Sequence, residues 1–151
     1  MKYLHTMVRV SNLEASLDFY CNKLGMTEIR RYDSEAGKYT NIFLAADEDE
    51  QSANNANASV LELTYNWPDA DGTTEEYIKG RNFGHLAYEV TDIYETCQKL
   101  MDAGVTINRP PRDGNMAFIN SPDGVSIEIL QAGPALDAVE PWASMENEGS
   151  W

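Results

Sequence analysis

Residues 59–67, SVLELTYNW, alternate with period two. Leu61, Leu63, Tyr65 and Trp67 fall on one face and Val60, Glu62, Thr64 and Asn66 on the other, the pattern of a half-buried strand whose Glu62 face meets solvent. Residues 125–131, VSIEILQ, repeat the pattern, with Glu128 alternating with Ile127 and Ile129. Residues 3–10 form a further strand, with Tyr3, His5, Met7 and Arg9 on one side. Ser11 followed by Glu14 is a capping-box signature, which predicts a helix start. Leu13, Leu17, Tyr20, Cys21 and Leu24 then recur at helical spacing, and Gly25 closes the run as a C′ glycine. Two more strands are predicted at 27–32 and 38–45, around a turn at 33–37. The stretches 46–58 and 68–80 carry no apolar periodicity and read as surface loops.

From Phe83 the pattern starts again. Leu13, Leu17, Tyr20 and Cys21 follow His5 at the same intervals at which Ile93, Cys97, Leu100 and Met101 follow His85. Gly104 ends the second helix, and Thr91 or Asp92 caps its start. Short strands follow at 105–108 and 116–120, and SPDG at 121–124 turns the chain into the Glu128 strand. The expected fold is therefore α+β, with two head-to-tail βαβββ modules. They span 1–67 and 81–131, joined by a linker loop at 68–80. A non-periodic tail at 132–151 carries Trp142 and Trp151, which could fasten it to the surface.

Composition narrows the function. The chain has 151 residues, 42% of them hydrophobic, enough for one compact domain or two small modules sharing a core. A formal charge of -14, from 11 basic and 25 acidic residues, argues against nucleic acid and anionic membranes as partners, since both need a positive face. The first residues, MKYLHTMVRV, contain no apolar leader segment, and no stretch approaches the ~18 apolar residues of a membrane span. A cytoplasmic protein is expected. Cys21 and Cys97 fall in unrelated helical positions, as packing residues rather than a disulfide or thiolate site.

The chemistry rests on the repeat. His5 and His85 are the only two histidines, each opens a module, and each module closes on a glutamate strand. If the modules pack about a pseudo-two-fold axis, His5, Glu62, His85 and Glu128 meet at one centre. Two imidazoles and two carboxylates suit a divalent first-row ion, whereas Mg²⁺ and Ca²⁺ prefer oxygen donors alone.

HTMVRVSNLEASLDFYCNKLGM, LELTYNW, FGHLAYEV and SPDGVSIEIL resemble the corresponding segments of the glyoxalase I (lactoylglutathione lyase) family of the vicinal-oxygen-chelate superfamily. The resemblance covers about residues 2–131. It implies the glyoxalase/bleomycin-resistance/dioxygenase fold, a curved, funnel-like sheet with helices outside. It also implies a homodimer with one divalent metal at each subunit interface, Ni²⁺ or Zn²⁺, with Co²⁺ as a further candidate. The implied reaction isomerises the hemithioacetal of methylglyoxal and glutathione to S-lactoylglutathione, by proton transfer through an enediolate. Carried over by residue, His5, Glu62, His85 and Glu128 fall on the metal positions, and Glu128, with Glu62, on the proton-transfer positions. Arg9, Asn66 and Arg81 fall on positions that bind the glutathione part. Lysines common in the family before the last two strands are missing from 108–116, NRPPRDGNM, where Arg112 or Arg109 takes their place. Histidine at position 5 matches the nickel-type bacterial members, while the longer loops do not. Two other readings share the scaffold: a metal-dependent epimerase and a metal-free small-molecule binding protein with an aromatic cleft.

Overall fold

The computed structural model describes residues 1–151 except Ala56, Asn57 and Lys79, so parts of the two expected loops lie outside the described residues. The chain divides into two compact units, Met1–Ile78 and Lys79–Trp151.

In the first unit, β1 (His5–Arg9), β2 (Thr27–Ser34), β3 (Tyr39–Ala45) and β4 (Val60–Asn66) form a four-stranded sheet in the order β1-β4-β3-β2. β1 and β4 run parallel, and the other pairs are antiparallel. Ile42, Leu44, Leu61 and Leu63 are almost wholly buried, and Phe19 and Tyr20 from the helical segment join that core. Each such aliphatic side chain contributes about 1.5–3 kcal/mol by leaving water. The helix begins one residue later than the capping-box spacing predicts, because Asn12 rather than Ser11 caps it: Asn12 Oδ1 accepts from Ala15 N at 3.0 Å. It is α-helical over α1 (Leu13–Leu17) and widens to a π-helix at Asp18–Lys23. Gly25, at φ +77°, takes the left-handed conformation that ends the run.

The expected surface loop at 46–58 instead holds a 3₁₀ turn (Asp47–Asp49) and a short helix, α2 (Glu50–Asn54). Tertiary contact supplies what periodicity lacked. Ala53 is buried, and Glu50 accepts a hydrogen bond from Thr27 Oγ1 of β2 at 3.2 Å.

The second unit repeats the plan with β5 (His85–Val90), α3 (Ile93–Asp102), β6 (Met116–Asn120) and β7 (Ser126–Gln131), in sheet order β5-β7-β6. Asp92 caps α3 by accepting from Glu95 N at 3.0 Å, at the position equivalent to Asn12. Ile93, Cys97 and Leu100 of α3 and Ile119, Ile127 and Ile129 of the sheet are nearly inaccessible. Burial pushes the Cys97 thiol up to about 12, which suits a packing role.

The strand expected at 105–108 is reduced to one antiparallel bridge, Arg109 to Phe118. Pro110 and Pro111 follow directly and have no N–H to extend a ladder. The segment 132–151 packs against this unit, with Trp142 buried and stacked on Tyr94 at 6.3 Å. Leu136 N donates to Gly114 O, and a Cβ at Gly114 would collide with the Leu136 carbonyl.

Candidate functional site: a His–Glu pair built twice

In the first unit the parallel register sets Met7 of β1 opposite Glu62 of β4. His5, two residues along, shares that face, and its Nε2 lies 2.9 Å from Glu62 Oε2. The second unit does the same: Ala87 of β5 stands opposite Glu128 of β7, and His85 Nε2 lies 3.2 Å from Glu128 Oε2. The side-chain exposures match as well, 42% and 44% for the imidazoles, 10% and 15% for the carboxylates. Glu62 is therefore buried rather than solvated, contrary to what strand alternation alone predicts.

A phenylalanine completes each pair. Phe43 pairs in register with Glu62, and Phe118 with Glu128. Each ring meets its histidine edge-on, with centroids 6.1 Å apart for His5 and Phe43 and 5.5 Å for His85 and Phe118. Sequence reasoning missed both residues. Their shared signal, a Phe in the strand antiparallel to each glutamate, needs the strand register to be seen.

The two halves differ in their support. Asn41 Nδ2 donates to Glu62 Oε1 at 2.6 Å, while Asn41 Oδ1 accepts from Thr64 Oγ1 at 3.0 Å. The amide thus pins one carboxylate oxygen and leaves the other for His5. In the second unit the register-equivalent residues are Met116 and Leu130, which cannot donate to a carboxylate. The rings are covered differently too. The Arg30 guanidinium carbon lies 3.9 Å from the Phe43 centroid, whereas Trp151 stacks on Phe118 at 5.9 Å with 27° between planes.

Among the remaining expected residues, Arg9 is exposed on the His5 face of β1, opposite Thr64. Asn66 donates to Glu75 Oε2 at 2.7 Å, and Tyr77 donates to the same oxygen at 3.2 Å. Burial, reinforced by Glu75, raises the Tyr77 hydroxyl above its ordinary value, so it stays a donor. Arg81 is exposed in the irregular segment before β5. Arg112 donates to the Met145 carbonyl at 2.8 Å, and Arg109 pairs with Asp113 at 2.8 Å. Burial alone would raise the Asp113 carboxyl. Hydrogen bonds from Arg109 and the Asn115 and Met116 amides outweigh it and hold the group below its usual value.

The donor sets fit a first-row divalent cation. Ligands about 2.0–2.2 Å from such an ion and at right angles to one another stand about 3 Å apart, the spacing both His–Glu pairs already have. Part-exposed ion pairs contribute only about 0–1 kcal/mol, so stability alone gives little reason to build the same pair twice. Within either unit, no third His, Cys, Asp or Glu among the described residues joins its pair.

Fold and site together define an α+β protein of two modules, βαβββ and a βαββ counterpart, that carries one matched His–Glu pair on each sheet. The sequence profile of the Glyoxalase/Bleomycin resistance protein/Dioxygenase superfamily matches residues 2–129, and the chain belongs to that superfamily. It is 42% identical over 144 residues to the lactoylglutathione lyase of Neisseria meningitidis, covering 92% of this chain and 96% of that protein. It is 39% identical over 142 residues to a probable lactoylglutathione lyase of Synechocystis, covering 91% of this chain and 100% of that protein. Among solved structures, the trypanothione-dependent glyoxalase I of Leishmania major superposes with a TM-score of 0.73 at 37% identity, over 87% of this chain and 86% of that one.

Proposed function

We propose that this chain is a lactoylglutathione lyase, isomerising the hemithioacetal of methylglyoxal and glutathione to S-lactoylglutathione. The observation that carries the reading is the His–Glu pair built at equivalent positions of both repeats, and relatives of that name spanning most of the chain support it. His5, Glu62, His85 and Glu128 would together hold one divalent metal, Ni²⁺, Zn²⁺ or Co²⁺. When bound, such a cation supplies Lewis acidity to the oxygens of the reacting carbons.

The chain's own residues handle the proton. Glu128, whose carboxylate meets His85 and whose register partners are Ala87 and Phe118, removes the C1 proton and returns it to C2. One C–H bond breaks and one forms, so the step needs no oxidant or reductant. Glu62, fixed by Asn41, serves on the opposite face. Arg9, Asn66 and Arg81 take the glutathione part, and Arg112 or Arg109 its glycyl carboxylate. Asn66 must first release Glu75, since its amide is already engaged.

The assembly we infer is a homodimer, each site drawing donors from both chains. β1 lies at a sheet edge with Tyr3, Leu4 and Met7 exposed, an apolar margin suited to a partner chain. The compartment we infer is the cytoplasm, where thiols stay reduced. Among the described residues, no helix is long and apolar enough to cross a membrane. The test is turnover of the hemithioacetal by the purified protein with and without a chelator, combined with sedimentation at micromolar concentration. Metal-dependent activity in a dimer is expected; activity that survives metal removal, or that resides in a monomer, contradicts the reading.

Asn41 gives a second test. Partners that orient a ligand are typically worth about 10–100-fold in metal affinity. Asn41→Ala should weaken metal binding by about that factor and leave the fold intact, as read by competition with a chromophoric chelator. Unchanged affinity would remove Asn41 from the site.

A further inference from the structure

Resting on the reading above, we propose that Trp151 is a specificity-determining residue: with Phe118 it forms an aromatic wall that receives the substituent of the 2-oxoaldehyde and favours aryl over methyl groups.

The placement is built. Met145 O accepts from Arg112 at 2.8 Å, and Ser150 O accepts from Asn120 Nδ2 at 2.7 Å. Between them Glu148 is held twice, its carbonyl by Asn108 Nδ2 at 2.8 Å and its N–H by the Asn108 carbonyl at 2.9 Å. Gly149, at φ +68°, makes the turn that carries the chain to Trp151. The indole then lies on Phe118, whose ring edge meets His85 and whose register partner is Glu128. Trp151 is thus one ring away from both members of the second His–Glu pair.

The first unit shows what is specific here. There the equivalent phenylalanine is covered by the Arg30 guanidinium, a cation suited to an anionic neighbour. In the second unit the equivalent cover is an aromatic residue, Trp151, which is 36% exposed and carries no charge on its ring. Trp151 lies beyond residues 2–129, which the family profile matches, whereas Phe118 lies within them. A methyl group is too short to engage an aromatic stack, while a phenyl ring engages it fully.

The test compares kcat/KM of the metal-loaded wild type, Trp151→Ala and Trp151→Phe on the glutathione hemithioacetals of methylglyoxal and phenylglyoxal. Trp151→Ala should lose roughly 3- to 10-fold on phenylglyoxal, the range of one aromatic stack, and less than about twofold on methylglyoxal. Trp151→Phe should recover most of the loss. Parallel losses on both substrates, no loss, or a gain on phenylglyoxal would overturn the proposal. Calorimetric binding of S-benzylglutathione against S-methylglutathione supplies a readout without turnover. If the wild type turns over neither hemithioacetal, the functional reading fails on its own. The benzyl preference, and its loss in Trp151→Ala, then still decides the role of Trp151; no preference overturns it.

Discussion

Glu128→Gln should leave a folded, dimeric, metal-retaining protein with almost no isomerase activity. The substitution keeps the size of the side chain and an oxygen able to ligate, but removes the basicity. Positioned proton transfer by a side chain typically contributes about 10²- to 10⁴-fold, and a loss of that order in kcat is expected. The asymmetry between the two halves is the reason to choose Glu128 over Glu62. Asn41 occupies one oxygen of Glu62 at 2.6 Å, and a carboxylate held that way is suited to being a fixed ligand. Glu128 has Met116 and Leu130 where Glu62 has Asn41 and Thr64, and neither of those side chains can donate to its second oxygen. Glu62→Gln should therefore cost less turnover than Glu128→Gln. Metal content by elemental analysis, sedimentation and turnover of methylglyoxal with glutathione measure the three properties separately. Near-normal turnover in the Glu128→Gln protein would place the base elsewhere.

The doubled module was legible because its signals are local. Four apolar helix positions follow each histidine at the same intervals, and the alternation around Glu62 and Glu128 assigns each glutamate to a strand face. What was not legible depends on contacts distant in sequence. Phe43 and Phe118 become neighbours of the glutamates only through the antiparallel registers of β3 with β4 and β6 with β7. The connections between those strands differ in length, so no fixed interval reveals them. Asn41 was hidden for the same reason. The helix Glu50–Asn54 lacks periodicity because a single buried residue, Ala53, holds its apolar side. Trp151, in a tail with no pattern, reaches Phe118 through hydrogen bonds of its neighbours to 108–120 that depend on backbone carbonyls and so leave no mark in composition.

His85→Ala tests the metal site itself, and its effect on the metal should be the largest of any single change. The imidazole is one of two nitrogen donors proposed, and removing it also strips Glu128 of the partner 3.2 Å away. Loss of an orienting neighbour costs about 10–100-fold in affinity, and loss of a ligand should exceed that, leaving the purified variant essentially metal-free. The fold should survive, because the His85 side chain is 44% exposed and truncations at such positions usually change stability by less than about 0.5 kcal/mol. Thermal unfolding separates the two effects. A wild type held at 100 times its metal Kd gains about 2.7 kcal/mol over its apo form, a rise in Tm that depends on metal concentration. The apo forms of wild type and His85→Ala should melt together, and only the wild type should respond to added metal. A variant that keeps its metal content, or shows the same metal-dependent rise in Tm, would mean that His85 is no ligand and that its pairing with Glu128 is structural.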